Sequence, residues 1–191
     1  MQTTSRFTSD QQQLLLAAAS ASIQSGLRGH GSFVVDPAEV PAPLNEPGAC
    51  FVTLRIEGEL RGCIGTLEAS QALIRDVVKN AFSAAFHDPR FPPLTSEEFD
   101  RIEIHLSVLT PPEPLPCDSE EDLLSRVRPG VDGLILRDRG RRATLIPAFW
   151  ESEPDPHRFL GYLKRKAGLP RDYWSDSLEF FRYTAEGIHS N

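Results

Sequence analysis

The chain has 191 residues, 40% of them hydrophobic and 25% charged, with 16 prolines spread over several loops. That balance excludes a fibrous or disordered chain and suits one compact globular domain. A net charge of −7 argues against a broad nucleic-acid surface, which needs clustered Lys and Arg. No run approaches the ~20 apolar residues of a membrane span, and residues 1–10 lack a secretory layout, so a cytoplasmic location is expected.

A capping-box pattern of Ser9 with Gln12, then Leu14, Leu15, Ala18, Ala19, Ser22 and Ile23 at helical spacing, predicts an amphipathic helix that Gly26 closes. Residues 27–48 carry Pro37, Pro41, Pro43 and Pro47 and predict a long connection with at most a short strand over 32–35. Residues 50–56 and 60–65 alternate in polarity, with Val52, Leu54, Ile56, Leu60 and Ile64 apolar. With Glu57, Gly58 and Glu59 as the turn, they predict a β-hairpin that buries one face. A helix over 71–86 follows, its stripe of Leu73, Ile74, Val77, Val78, Ala81, Phe82 and Ala85 suited to cover the hairpin.

The prolines of DPRFPP (88–93) end that helix in a rigid turn. Thr95 with Glu98 caps a single helical turn, and Ile102, Ile104, Leu106 and Val108 alternate with Glu103, His105 and Ser107 as a strand. Ser119 caps a short acidic-fronted helix ending near Val127. Residues 133–137 and 143–146 make a second hairpin, whose Arg137, Arg139, Arg141 and Arg142 read as a solvated tip. Residues 156–167 predict a further helix and 178–183 a last strand. Antiparallel hairpins among helices, without a glycine-rich phosphate loop, indicate an α+β fold.

Cys50, Cys63 and Cys117 form no CxxC pair, which fits reduced thiols. His30, His87, His105, His157 and His189 show no metal-ligand spacing. The stretch LRGCIG (60–65) concentrates the remaining chemistry. If Leu60 and Ile64 face the core, Arg61 and Cys63 face away. A three-residue turn sets Thr53 opposite Cys63 and Arg55 opposite Arg61, two like charges that call for an anion between them. Arg61 beside Cys63 would favour the nucleophilic thiolate, and Gly62 and Gly65 admit a close neighbour. A free cysteine is also commonly an inert buried group, and the glycines then serve packing alone. Asp88 before Pro89 fits a turn initiator, and Arg90 suits a carboxylate of the protein or of a ligand. His105 on the polar strand face reads as a hydrogen-bonded structural histidine.

FVTL (51–54), LRGCIGTL (60–67), DPRFPPLT (88–95), SVLTPPEPL (107–115), GVDGL (130–134) and KAGLP (166–170), in this order, resemble the AMMECR domain family, called AmmeMemoRadiSam system protein A in prokaryotes. The resemblance spans nearly the whole chain. It implies one domain over 1–191 made of a larger and a smaller α+β subdomain, with LRGCIG as the functional segment. It names no reaction and no cofactor. Where many relatives have an acidic residue, this chain has His105. The site that follows has Cys63 as a catalytic candidate and Arg61, Gly62, Gly65, Thr66, Asp88 and Arg90 around a ligand. Two functions are compatible with it: an enzyme or enzyme component that binds a small anionic metabolite near LRGCIG, or a non-catalytic adaptor for Memo-like or radical SAM partner proteins.

Overall fold

The computed structural model describes residues 5–190; Met1, Gln2, Thr3 and Thr4, part of the stretch read for a secretory signal, lie outside the described residues. In chain order the elements are α1 (Ser9–Leu27), β1 (Pro47–Gly48), β2 (Cys50–Ile56), β3 (Glu59–Gly65), β4 (Gln71–Ala72), α2 (Leu73–Phe86), α3 (Ser96–Phe99) and β5 (Ile102–Leu109). There follow β6 (Glu113–Pro114), α4 (Glu120–Arg126), β7 (Gly133–Asp138), β8 (Arg141–Leu145), α5 (Pro156–Lys166), β9 (Glu179–Tyr183) and β10 (Ala185–His189). The fold is α+β with antiparallel pairing in each strand pair for which a register is defined. No described helix is long and apolar enough to cross a membrane.

The chain divides into two compact units. One runs to Leu109 and resumes at Glu186; the other is Thr110–Ala185. The first holds a four-stranded sheet of order β10-β5-β2-β3. Val52, Leu54, Ile104 and Leu106 from this sheet meet Ile74, Val77, Val78 and Ala81 of α2 in one core. The second unit holds a sheet of order β6-β9-β7-β8, and its own core centres on Leu134, Leu136, Phe159, Leu160 and Leu163. There the Trp150 ring stacks on Phe159 with centroids 3.8 Å apart.

Several expected boundaries shift, each for a visible reason. The first helix is capped by Thr8, not Ser9: Thr8 Oγ1 accepts from the Gln11 amide at 3.3 Å and Gln11 returns the bond at 2.9 Å. Gly26 lies inside that helix, where a Cβ would stand 2.2 Å from the Phe86 ring. No strand forms over 32–35. The second helix starts at Leu73 because Gln71–Ala72 pair with Pro47–Gly48, while the free Leu73 and Ile74 amides donate to Glu46 and Leu44 carbonyls at 2.8 and 3.0 Å. Residues 185–189 add a strand that their sequence did not announce.

The hairpin is the consequential correction. Its turn has two residues, Glu57 and Gly58, with φ of 54° and 83°, both positive as a tight hairpin turn requires. Arg55 then pairs with Leu60 and Leu54 with Gly62, which leaves Arg61 as the extra residue of a β-bulge. Cross-strand partners share a face, so Leu60 follows Arg55 outward and is 37% exposed rather than in the core. The predicted opposition of Arg55 and Arg61 does not occur, and with it goes the charge argument for an anion between them.

Candidate functional site

Beyond the bulge the alternation is regular. Cys63 stands opposite Thr53 and Gly65 opposite Phe51 on the face turned away from α2, while Gly62 and Ile64 face the helix. Thr53 Oγ1 donates to Cys63 Sγ at 3.2 Å, and the thiol is half-buried. β3 is an edge strand, so the Cys63 backbone lacks a second strand to bond. Asp88 and Arg90 supply the bonds instead. Asp88 Oδ2 accepts the Cys63 amide at 2.8 Å, and Arg90 Nη2 donates to the Cys63 carbonyl at 3.2 Å.

The two side chains are also paired with each other. Arg90 Nε donates to Asp88 Oδ1 at 2.9 Å and Nη2 to Oδ2 at 2.7 Å, and the Arg90 amide adds a bond at 3.1 Å. This guanidinium, with the Cys63 and Arg90 amides behind it, holds the Asp88 carboxyl well below the usual carboxylate range despite burial. The Arg90 side chain is 52% exposed, and its Nη1 has no partner among the described residues. It is the cationic group that remains available beside the thiol.

Arg61 is enclosed instead, although its buried Nη1 also lacks a hydrogen-bond partner among the described residues. It is 9% exposed, and Glu98 grips it bidentately at 2.7 and 2.9 Å while the Pro92 carbonyl accepts at 3.0 Å. Glu98 also accepts the Thr95 amide at 2.9 Å, so one carboxylate caps α3 and pins the bulge. Arg61 and then the Thr95 amide lower the Glu98 pKa from 4.5 to about 2. The guanidinium carbons of Arg61 and Arg90 lie 5.7 and 5.5 Å from the centroid of Phe91, which joins the two ion pairs.

Three further positions have packing reasons. A Cβ on Gly62 would stand 2.2 Å from the Ala84 carbonyl oxygen of α2, and one on Gly65 would stand 2.3 Å from the Phe51 ring. Thr66 accepts from Asn80 Nδ2 at 3.0 Å, and its amide donates to the Cys50 carbonyl at 2.9 Å. Buried Asp76 completes this bridge by accepting the Cys50 amide at 2.9 Å. The structure thus brings Cys63, Asp88 and Arg90 together and directs Arg61, Gly62, Gly65 and Thr66 to other neighbours. Sequence reasoning missed Glu98 as the Arg61 partner, although its capping box was visible. It placed Thr53 opposite Cys63 but gave Thr53 no role. Among the described residues no group of three or more His, Cys, Asp or Glu side chains is placed to hold a metal.

A family model described as AMMECR1 matches residues 16–188. The chain belongs to the AMMECR1 family. A protein of Methanothermobacter thermautotrophicus is 38% identical to this AMMECR1 chain over 188 residues, 95% of each. One from Thermotoga maritima is 40% identical over 157 residues, covering 80% of this chain and 85% of its own. The crystal structure of the uncharacterized protein PH0010 from Pyrococcus horikoshii is similar at a TM-score of 0.76 and 33% identity. It covers 91% of this chain and 88% of the other.

Proposed function

We propose that this AMMECR1 protein binds a small anionic metabolite against the Cys63 thiol, as an enzyme or enzyme component, with Arg90 as the positive contact. The observation that carries this reading is the placement of Sγ. It receives a hydroxyl hydrogen bond at 3.2 Å, and its own backbone orients a half-exposed guanidinium whose Nη1 is unused. A thiol is the most intrinsically nucleophilic side chain at neutral pH, and a fixed guanidinium suits a carboxylate or phosphate.

The test is thermal unfolding of the full chain against a panel of small carboxylates and phosphate esters. A true ligand at ~100 times its Kd raises Tm by about 5–10 °C. Cys63→Ala and Arg90→Gln, the latter keeping an amide donor for Asp88, each reduce that rise while remaining folded. No response to any member of the panel, or a response that both variants retain in full, overturns the reading.

The adaptor alternative draws support from Gly62 and Gly65, whose tight contacts give LRGCIG a packing purpose without any ligand. Under it, a Memo-like or radical SAM protein binds the chain stoichiometrically and the small-molecule panel is silent.

A further inference from the structure

Thr53 has two cross-strand neighbours, Cys63 on β3 and His105 on β5. The Cys63 amide and carbonyl point off the sheet edge to Asp88 and Arg90, so Thr53 and Cys63 form a pair without mutual backbone bonds. In such pairs side chains approach most closely, which is why hydroxyl and sulfur are in contact. Residues directly opposite share a face, so His105 lies on the same face as Cys63. β10 borders β5, and the His189 ring stands 5.4 Å from that of His105. A thiol, a hydroxyl and two imidazoles therefore form one row across the sheet, in steps of ~4.8 Å per strand.

The solvated face of a sheet is ordinarily covered with groups of fixed charge. This row has none. Its members donate or accept hydrogen bonds, and Thr53, Cys63 and His105 are half-buried. Two strand steps separate the Cys63 and His105 backbones by ~10 Å, with the small Thr53 side chain between them.

We propose that this row is the binding track and that His105, backed by His189, is the second contact for the anion. The ligand class is a small anion with an electrophilic carbon, that carbon at Cys63 Sγ and its negative group against the protonated His105 ring. This rests on the reading of Cys63 as a small-anion site, and adds the face on which the ligand lies and a titratable pole. The groups facing His105 are Glu103 on its own strand, 3.5 Å from Nε2, His189 on β10, and Arg55 and Thr53 on β2, with Cys63 beyond Thr53. His87 packs edge-on against Phe82 instead and serves as a control.

Iodoacetate and iodoacetamide test this on the full chain. In both, the thiolate forms an S–C bond and iodide leaves; only the charge of the probe differs, so the ratio of their rates cancels the thiolate fraction. Peptide mass spectrometry reads that ratio at Cys63 between pH 8 and pH 5.5. It is expected to rise about two- to fivefold on acidification, the size of one part-exposed ion contact. His87→Gln keeps the rise and His105→Gln abolishes it. A ratio flat with pH in the wild type, or a rise that survives His105→Gln, overturns the proposal; the wild-type arm decides alone should the variant not fold. A flat ratio that nevertheless falls in Arg90→Gln sinks the histidine pole and leaves the small-anion reading standing. A ratio equal to that of free cysteine, with a silent metabolite panel, sinks both.

Discussion

The Asp88 carboxylate stands where a neighbouring strand would stand, accepting the Cys63 amide at 2.8 Å while it holds Arg90 against the Cys63 carbonyl. Two side chains from a proline-rich turn thereby close a sheet edge that would otherwise offer unpaired backbone groups. The partners are unequal, since the Asp88 side chain is 1% exposed and that of Arg90 is 52% exposed. Arg90→Ala leaves a buried carboxylate with only amide donors and is expected to cost about 3 kcal/mol. Asp88→Ala leaves the Cys63 and Arg90 amides unmet and costs about 1–3 kcal/mol. Chemical denaturation of both single variants and the double checks this: the double should be no less stable than Arg90→Ala.

Gly62→Ala is expected to be more damaging than Gly65→Ala. Both put a Cβ inside contact distance, at 2.2 and 2.3 Å. The obstacle for Gly62 is the Ala84 backbone carbonyl within α2, which moves only if the helix lifts from the sheet. For Gly65 it is the Phe51 side chain, which can turn at some cost. Overpacking usually costs about 1–3 kcal/mol, and Gly62→Ala should fall at or above the upper end. The midpoints of urea unfolding give the order.

Acid stability should depend on Glu98. Arg61 lowers its folded-state pKa from 4.5 to about 2, so the unfolded chain takes up this proton first as pH falls. The contribution is complete above about pH 4.5 and disappears as pH drops toward 2. Asp88, shifted in the same direction by Arg90, adds to the loss at the acid end. Glu98→Gln should be less stable than the wild type at pH 6, with the gap closing between pH 4.5 and pH 2. Tm measured across that range would show a constant gap if the pair contributed nothing.

The three thiols should label in a set order. Cys63 is half-buried beside Arg90. Burial, with Asp122 nearby, raises the pKa of the Cys117 thiol, and burial aided by Asp76 raises that of Cys50 much further. N-ethylmaleimide followed by peptide mass spectrometry should find Cys63 modified first, Cys117 later, and Cys50 only on unfolding.

Local rules made much of the first unit legible. Capping chemistry acts within four residues and period-two alternation within one strand. The Thr95 and Glu98 cap, the helix ending at Phe86 and the opposition of Thr53 and Cys63 therefore appear in the sequence itself. The same locality misled at the turn. A loop of two residues rather than three is a difference of one, and one residue decides which side chain occupies the bulge.

The amino-acid sequence alone determined the α+β fold, most of its elements and the family. Only the tertiary structure decided that Arg61 belongs to Glu98, 37 residues away, and that Asp88, 25 residues from Cys63, finishes the sheet edge. It alone set His105 and His189 in line with the thiol. The reason is that pairing between distant strands is a choice among registers, made by the packing of α2 against β2 and β3, and no short window of residues contains that packing.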